Sequence, residues 1–205
     1  MAIRVITFDL DNTLWDVEPT LLAAEEEQRR WLVEHRPGSI EDYDHEGLWE
    51  FKKDVWRRHP DLLHHISQIR IQFLYELQRA AGYDEEASRE GAQQAFDVFL
   101  QRRHEVVLYE EALGVLRSLA RSYTLGALTN GNADIYKTDA GEYFDFAFLA
   151  EDVNASKPAP ASERPARHVY LHALAVATIN TVAGRLSNLC RFTGPIGDLT
   201  DRRAD

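Results

Sequence analysis

The sequence contains one cysteine and one methionine among 205 residues. The single Cys190 excludes an internal disulfide, which fits a cytoplasmic protein, and no motif around it indicates a catalytic thiol. No apolar run reaches the roughly 18 residues of a membrane-spanning helix, and the N-terminus lacks a signal-peptide layout. Acidic residues outnumber basic ones by 34 to 23, and no basic patch is visible. We therefore expect no nucleic-acid partner and no membrane partner.

A short apolar run near the N-terminus is followed by two acids. Val5, Ile6 and Phe8 have the β-branched and aromatic character of a buried strand, and Asp9 and Asp11 come next. Alternate strand residues face the same way, and ligands of parallel sheets lie beyond the carboxyl ends of the strands. Two carboxylates so placed repel by roughly 4 kcal/mol at 4 Å, a cost that a nearby cation removes. The alternative is a turn that merely carries two acids.

A second apolar run, residues 123–128, ends in Thr129, Asn130 and Gly131. A hydroxyl, an amide and a glycine just past a strand can offer several donors to one oxyanion. By itself, this pattern is also that of an ordinary exit from a strand into a turn.

A third strand is predicted within residues 143–149, and Lys157 follows it with Pro158 and Pro160 close by. The prolines give the lysine a rigid backbone from which to direct its charge. Most lysines are solvated surface residues, so the pattern is weak when taken alone.

Between the first two strands the sequence has helical periodicity and no convincing strand. Helices are predicted over residues 19–35, 46–58, 61–81 and 84–103, with Asp84 as a cap, and over residues 109–121. We interpret the Trp and Phe residues of this region as helix-packing core, with ligand stacking as the alternative. The first four helices indicate an all-α insertion.

The motifs FDLDNTL, TNGNA and SKPAP occur in that order. They resemble the first three motifs of the haloacid dehalogenase-like (HAD) superfamily, in the branch with a helical cap after the first motif. The residue sequences of the motifs are most similar to those of flavin mononucleotide and riboflavin-pathway phosphatases. The resemblance implies an α/β fold with a doubly wound, parallel, Rossmann-like sheet from residues 1–15 and 108–205, and an all-α cap from residues 16–107.

The resemblance also implies a reaction. Asp9 would attack phosphorus and form an aspartyl-phosphate, and Asp11 would serve as general acid and base. Lys157 would neutralise charge, while Thr129, Asn130 and Gly131 would bind the phosphoryl group. Mg²⁺ would be the cofactor, held by Asp9 and by the carbonyl of Asp11.

The same resemblance implies that the cap closes over the site and selects the substrate. That substrate would be a small phosphorylated metabolite, such as flavin mononucleotide, a riboflavin-pathway intermediate or a sugar phosphate. The protein would be a monomer or a homodimer. A 2-haloacid dehalogenase is a further alternative, but halide leaves without a proton whereas an alkoxide needs one, so the second acid favours a phosphatase.

The family's fourth motif, an apolar strand ending in Gly-Asp with another acid nearby, is missing at its expected place. Residues 164–197 contain no Asp or Glu, although residues 1–160 contain 30. A late Gly-Asp at Asp198, with Asp201 after it, resembles the motif and could supply metal ligands, or it is a polar tail. The segment from about residue 161 does not match the family, and we hypothesise a truncation or a reading-frame change. A catalytically impaired member, acting as a binding protein or a defective product, is therefore an alternative.

Overall fold

The computed structural model describes residues 3–62, 64–153, 156–157 and 190–193. The chain divides into two compact units, with breaks between Val17 and Glu18 and between Glu105 and Val106. We call residues Glu18–Glu105 the helical unit and the remainder the α/β unit. The role of residues 16–107 as a cap stays a prediction. In the described part of the chain, no helix combines the length and apolar character needed to cross a membrane.

The α/β unit is built on a sheet with strand order β3-β2-β1-β4. The strands β1 (Val5–Phe8), β2 (Thr124–Thr129) and β3 (Phe146–Leu149) are parallel, which confirms the predicted α/β fold. The fourth strand, β4 (Cys190–Thr193), runs antiparallel to β1. The sequence did not predict β4, which adds an antiparallel strand beside the three parallel ones. Main-chain pairing along an open edge depends little on side-chain pattern.

One face of the sheet packs against the helix Ala112–Ala120, which we call α5 because it is the fifth helix along the described chain. Short 3₁₀ turns at Ile135–Lys137 and Gly141–Tyr143 precede β3. The four-residue helix α6, Ala150–Val153, follows that strand. The core is apolar, and its largest buried members are Ile6, Phe8, Leu10, Leu14, Trp15, Leu116, Leu125 and Ile135.

Strands β2 and β3 approach each other closely at one glycine. A Cβ atom on Gly126 would lie 2.1 Å from the ring of Phe146, its register partner across the two strands. Real Cβ atoms do not approach other atoms so closely, so the ring occupies the space that a side chain would need. The glycine therefore allows β3 to pack its aromatic side chain over β2.

Four helices make up the helical unit. They are α1 (Val17–His35), α2 (His45–Arg58), α3 (Ile66–Ala80) and α4 (Glu85–Arg103). Asp84 caps α4 as predicted, with its side chain accepting a hydrogen bond of 2.8 Å from the amide of Ala87. The prediction of a helix from residue 61 is wrong at its start, because Pro60–Leu62 form a 3₁₀ turn and α3 begins later.

The aromatic and aliphatic residues of these helices divide between core and surface. The core interpretation of the Trp and Phe residues is confirmed for Phe73, Phe96 and Phe99, which are buried beside Leu32, Val55, Leu74 and Leu77. It is wrong for Trp49 and Trp56, which are 45% and 43% exposed. The two indoles pack edge to face, and the Lys52 ammonium lies 5.7 and 5.6 Å from their ring centroids. Contact with a cation gives these rings a favourable surface position.

Candidate active site

The turn after β1 presents both acids of the first motif. The main-chain amide of Asn12 donates a hydrogen bond of 2.8 Å to the carbonyl of Trp15. The main-chain amide of Leu14 donates one of 2.9 Å to the carbonyl of Leu10. Asn12 has φ of 58°, the left-handed region that asparagine tolerates better than most residues. This tight turn ends the strand and carries Asp9 and Asp11 at its beginning.

The carboxylate of Asp11 is held by an indole. The Trp15 Nε1–H donates to Asp11 Oδ1 at 2.9 Å, and the Trp15 side chain is fully buried in the core of the α/β unit. The neighbouring main chain is tied down as well, because the amide of Tyr109 donates to the carbonyl of Leu14 at 2.8 Å. A donor fixed by packing therefore sets the orientation of the second acid.

The carboxylate of Asp9 forms an ion pair with Lys157, with Nζ lying 2.8 Å from Oδ1. The two side chains are 23% and 19% exposed, respectively, so water and salt screen this pair less than a surface pair. Lys157 Nζ also donates to the carbonyl of Leu128 near the end of β2. The ammonium group thus bridges the carboxyl ends of β1 and β2.

The side chain of Asn130 holds the main chain of Lys157 in place through two hydrogen bonds. Its Nδ2 donates to the carbonyl of Lys157 at 2.9 Å, and its Oδ1 accepts from the Lys157 amide at 2.8 Å. Two antiparallel hydrogen bonds to one residue fix both distance and orientation. The turn after β2 therefore positions the cation that contacts Asp9.

The other two residues of the predicted phosphoryl-binding turn interact with each other. The Gly131 amide donates to Thr129 Oγ1 at 3.0 Å, and Thr129 is 4% exposed. A hydroxyl that accepts one hydrogen bond still has its own proton to donate. Thr129 is the last residue of β2, so it lies at the same sheet edge as the acids.

The three turns that carry the candidate site residues lie in one chain segment that matches a known family. The model of the haloacid dehalogenase-like hydrolases matches residues 3–166. The chain belongs to that family. The match ends close to residue 161, from which the sequence was expected to depart from the family pattern.

Two relatives of this chain are named for different reactions. The 5-amino-6-(5-phospho-D-ribitylamino)uracil phosphatase YigB of Escherichia coli K12 is 30% identical over 156 residues, or 76% of this chain and 65% of YigB. The chain thus spans less than two thirds of that relative's length. A 2-haloacid dehalogenase from Pseudomonas syringae is 38% identical, with a TM-score of 0.75 over 83% of this chain and 72% of that one.

A third relative bears on the fold alone. YfnB from Bacillus subtilis, a HAD-hydrolase by name that was solved with magnesium bound, is 17% identical. Its TM-score is 0.50, and the similarity covers 78% of this chain and 70% of YfnB. The family match, YigB and the Pseudomonas syringae protein confirm the resemblance that the three motifs indicated.

The predicted magnesium ligands lie partly outside the described residues. Asp198 and Asp201 are among those not described, and the described part of the chain contains no cluster of three or more His, Cys, Asp or Glu side chains suited to a metal. Asp9 and Asp11 still supply carboxylate and carbonyl oxygens after β1. Mg²⁺ is commonly held by one or two carboxylates together with waters and substrate phosphates. The donor types present therefore fit this ion.

The structure brings together some of the predicted site residues and adds others. It joins Asp9 to Lys157 and Asn130 to Lys157. Sequence reasoning missed Trp15 as the partner of Asp11, although its indole stands four residues beyond the acid in a tight turn. It also assigned Asn130 to phosphoryl binding alone, without the side-chain contact to the lysine.

Proposed function

We propose that this hydrolase cleaves a small phosphomonoester by way of a covalent intermediate on Asp9. The observation that carries the proposal is the 2.8 Å contact between Asp9 Oδ1 and Lys157 Nζ, with a second acid in the same turn. A nucleophilic carboxylate beside a cation can approach an anionic ester with less repulsion. A covalent intermediate divides a difficult hydrolysis into two easier steps.

In the first step, a carboxylate oxygen of Asp9 attacks phosphorus while the bond to the leaving oxygen breaks. Asp11 donates a proton to that oxygen, which then leaves as an alcohol. In the second step, Asp11 takes a proton from water as the water attacks the aspartyl-phosphate. Inorganic phosphate leaves, and the carboxylate of Asp9 is restored. The Trp15 indole keeps Asp11 in one orientation during both proton transfers.

Charge on the phosphoryl group is balanced by the residues around it. We propose that Thr129, through its hydroxyl, and the amide of Asn130 bind phosphoryl oxygens, and that Lys157 stabilises charge on nucleophile and phosphate together. If Mg²⁺ binds, Asp9 and the carbonyl of Asp11 would hold it, and it would supply Lewis-acid stabilisation of the phosphoryl oxygens. Asp198 or Asp201 would complete the ligand set.

The name of a relative and the sequences of the motifs indicate the class of the physiological substrate. The name of YigB points to a phosphorylated ribitylaminouracil, and the motif wording points to flavin mononucleotide or a sugar phosphate. We propose that residues 16–107 act as a cap that selects among such esters. Comparing kcat/KM for these three compounds would rank them.

A dehalogenase is the second candidate, favoured by the 38% identity to the Pseudomonas syringae protein. The same nucleophile would then attack carbon and release halide. Asp11 argues against this reaction, because a halide leaves without protonation and the second acid would have no proton to give. Release of chloride from 2-chloropropionate, at a rate above that of aryl phosphate hydrolysis, would establish this alternative. An impaired member of the family would perform neither reaction.

The deciding experiment is hydrolysis of 4-nitrophenyl phosphate by the purified chain, with and without Mg²⁺. We expect Mg²⁺-dependent turnover in the wild type and none in Asp9→Asn, with both proteins giving the same circular dichroism spectrum. Full activity of Asp9→Asn would refute the assigned nucleophile. A folded wild type that hydrolyses no phosphate ester would support the impaired alternative.

A further inference from the structure

The helical unit contains a cavity of about 320 Å³ among helices α1, α2 and α3. This volume falls at the lower end of the range for ligand pockets, about 300–1,000 Å³. Every lining residue belongs to the helical unit. Its apolar wall is formed by Leu22, Leu32, Ile40, Leu48, Trp49, Phe73 and Leu77. All of the described lining residues therefore come from one unit.

Two basic side chains in the cavity wall share a single carboxylate. Arg70 Nη2 lies 3.1 Å from Glu25 Oε1, and Lys52 Nζ lies 3.6 Å from the same oxygen. The Arg70 guanidinium also donates to Gln28 Oε1 at 3.4 Å and stacks 3.8 Å from the centroid of the Phe99 ring. Packing and hydrogen bonds thus hold both cations at the wall, where their side chains are 16% and 22% exposed.

The cavity wall has more positive than negative charge. Burial lowers the pKa of Lys52, and repulsion from Arg70 lowers it further. Another acid of the wall, Glu26, has its own partner in Arg29 at 3.0 Å.

This surplus is unusual for its surroundings. Residues 18–105 contain 19 acidic and 12 basic side chains, so the unit as a whole is negative. Two cations beside an apolar wall, with one carboxylate between them, leave about one positive charge to be compensated. An anionic ligand group would compensate it more strongly here than at a solvated surface.

We propose that this cavity binds a small organic acid, with its anionic oxygens at Arg70 and Lys52 and its apolar body against the aliphatic and aromatic wall. The planar guanidinium suits two oxygens of one carboxylate, and the ammonium reaches the same group as a point charge. Trp49, which is 45% exposed, gives the body a ring to stack on. The site does not depend on the proposed phosphatase activity.

Titration calorimetry of the full chain with phenylacetate tests the site, with phenethylamine as a probe of similar size and opposite charge. We expect phenylacetate to bind, to quench tryptophan fluorescence and to weaken as salt is raised, and we expect phenethylamine not to bind. The Asp9→Asn variant should bind phenylacetate as the wild type does. Absence of binding, or equal binding of both probes, would overturn the proposal.

Three variants separate a ligand site from a structural ion network. Removing one cation, in Lys52→Met or Arg70→Met, should weaken binding by about tenfold. Glu25→Gln removes the competing carboxylate and should tighten binding several-fold. A purely structural network would lose stability in all three variants without this opposite response in affinity. If Arg70→Met does not fold, Lys52→Met and Glu25→Gln decide the question, with the surface variant Arg89→Met as a control.

Discussion

The two units use charged side chains in different ways. In the α/β unit, the described ion pair of Asp9 and Lys157 joins residues far apart in sequence and ties two strand ends together. In the helical unit, most ion pairs join residues three or four apart on one helix and are exposed, as for Arg89 and Glu85. Exposed helical pairs contribute only about 0.3–0.5 kcal/mol each. The described long-range pair of the α/β unit thus lies at the candidate active site, whereas most pairs of the helical unit support single helices.

The largest expected effect comes from removing the long-range cation. Lys157→Met should lower kcat for an aryl phosphate by about 10²–10³-fold, because it removes charge stabilisation at the reacting group. The matched control is Lys137→Met, an exposed lysine of the same unit, which should retain full activity. Circular dichroism must show that both variants fold. Equal activity of the two variants would mean that the Asp9–Lys157 pair is only structural.

A packing change should affect the α/β unit almost as strongly. Gly126→Ala introduces a Cβ at 2.1 Å from the Phe146 ring and should lower the free energy of unfolding by about 1–3 kcal/mol. Gly114→Ala on helix α5 is the control, because the added Cβ would meet no atom within 4 Å apart from its chain neighbours and the helix's own backbone. It should stabilise by up to about 1 kcal/mol. Urea unfolding measures both, and a neutral Gly126→Ala would contradict the described β2–β3 packing.

The indole at Asp11 offers a smaller and more selective effect. Trp15→Phe keeps an aromatic ring but removes the donor, so proton transfer by Asp11 should become less efficient. We expect kcat to fall about tenfold for an alkyl phosphate and little for 4-nitrophenyl phosphate, whose leaving group needs less protonation. The control Phe144→Leu alters the same core, where Phe144 packs edge to face on Phe8, and should lower stability without this selectivity. Equal losses on both esters would assign Trp15 a structural role only.

The smallest expected effect concerns acid stability of the helical unit. Burial raises the pKa of Glu76, but hydrogen bonds from Arg58, Gln72 and His59 outweigh it and hold the pKa below the ordinary 4.5. A carboxyl group whose pKa is lowered by folding stabilises the folded state at pH values above its pKa in the unfolded chain. This stabilisation is lost as the pH falls through the pKa that the group has in the folded state. Urea unfolding from neutral pH to about pH 3 should show a shallower decline for Glu76→Gln than for the wild type. Exposed Glu90→Gln is the control, and identical slopes for Glu76→Gln and the wild type would refute the linkage.

Local patterns in the sequence were enough to predict most of the fold. The apolar runs before Asp9 and Thr129 predicted β1 and β2, since a buried strand leaves a compositional signal. The contact of Lys157 with Asp9 depends on strand order and followed only from the family resemblance. Strand β4 left no clear signal, because pairing at the edge of β1 uses main-chain groups that every residue carries.

Side-chain hydrogen bonds were the least predictable part of the candidate site. The turn residues Asp11 and Trp15 are both evident in the sequence, but their bond depends on the rotamer that core packing imposes on the indole. The same holds for Asn130, whose amide group could equally have faced a ligand. The exposure of Trp49 and Trp56 was missed because the helical pattern does not specify which apolar residues pair with a cation.

The two hydrogen bonds between the Asn130 side chain and the Lys157 main chain have a thermodynamic consequence. A lysine side chain free in solution loses up to about 2 kcal/mol of conformational entropy when it is immobilised. In this protein the Asn130 side chain holds the main chain of Lys157, and the Leu128 carbonyl and the Asp9 carboxylate hold its ammonium group. The entropy of the lysine is therefore lost during folding and not when a ligand binds. An incoming anion therefore meets a cation that needs no further ordering, and the free energy of that encounter remains available for lowering the barrier.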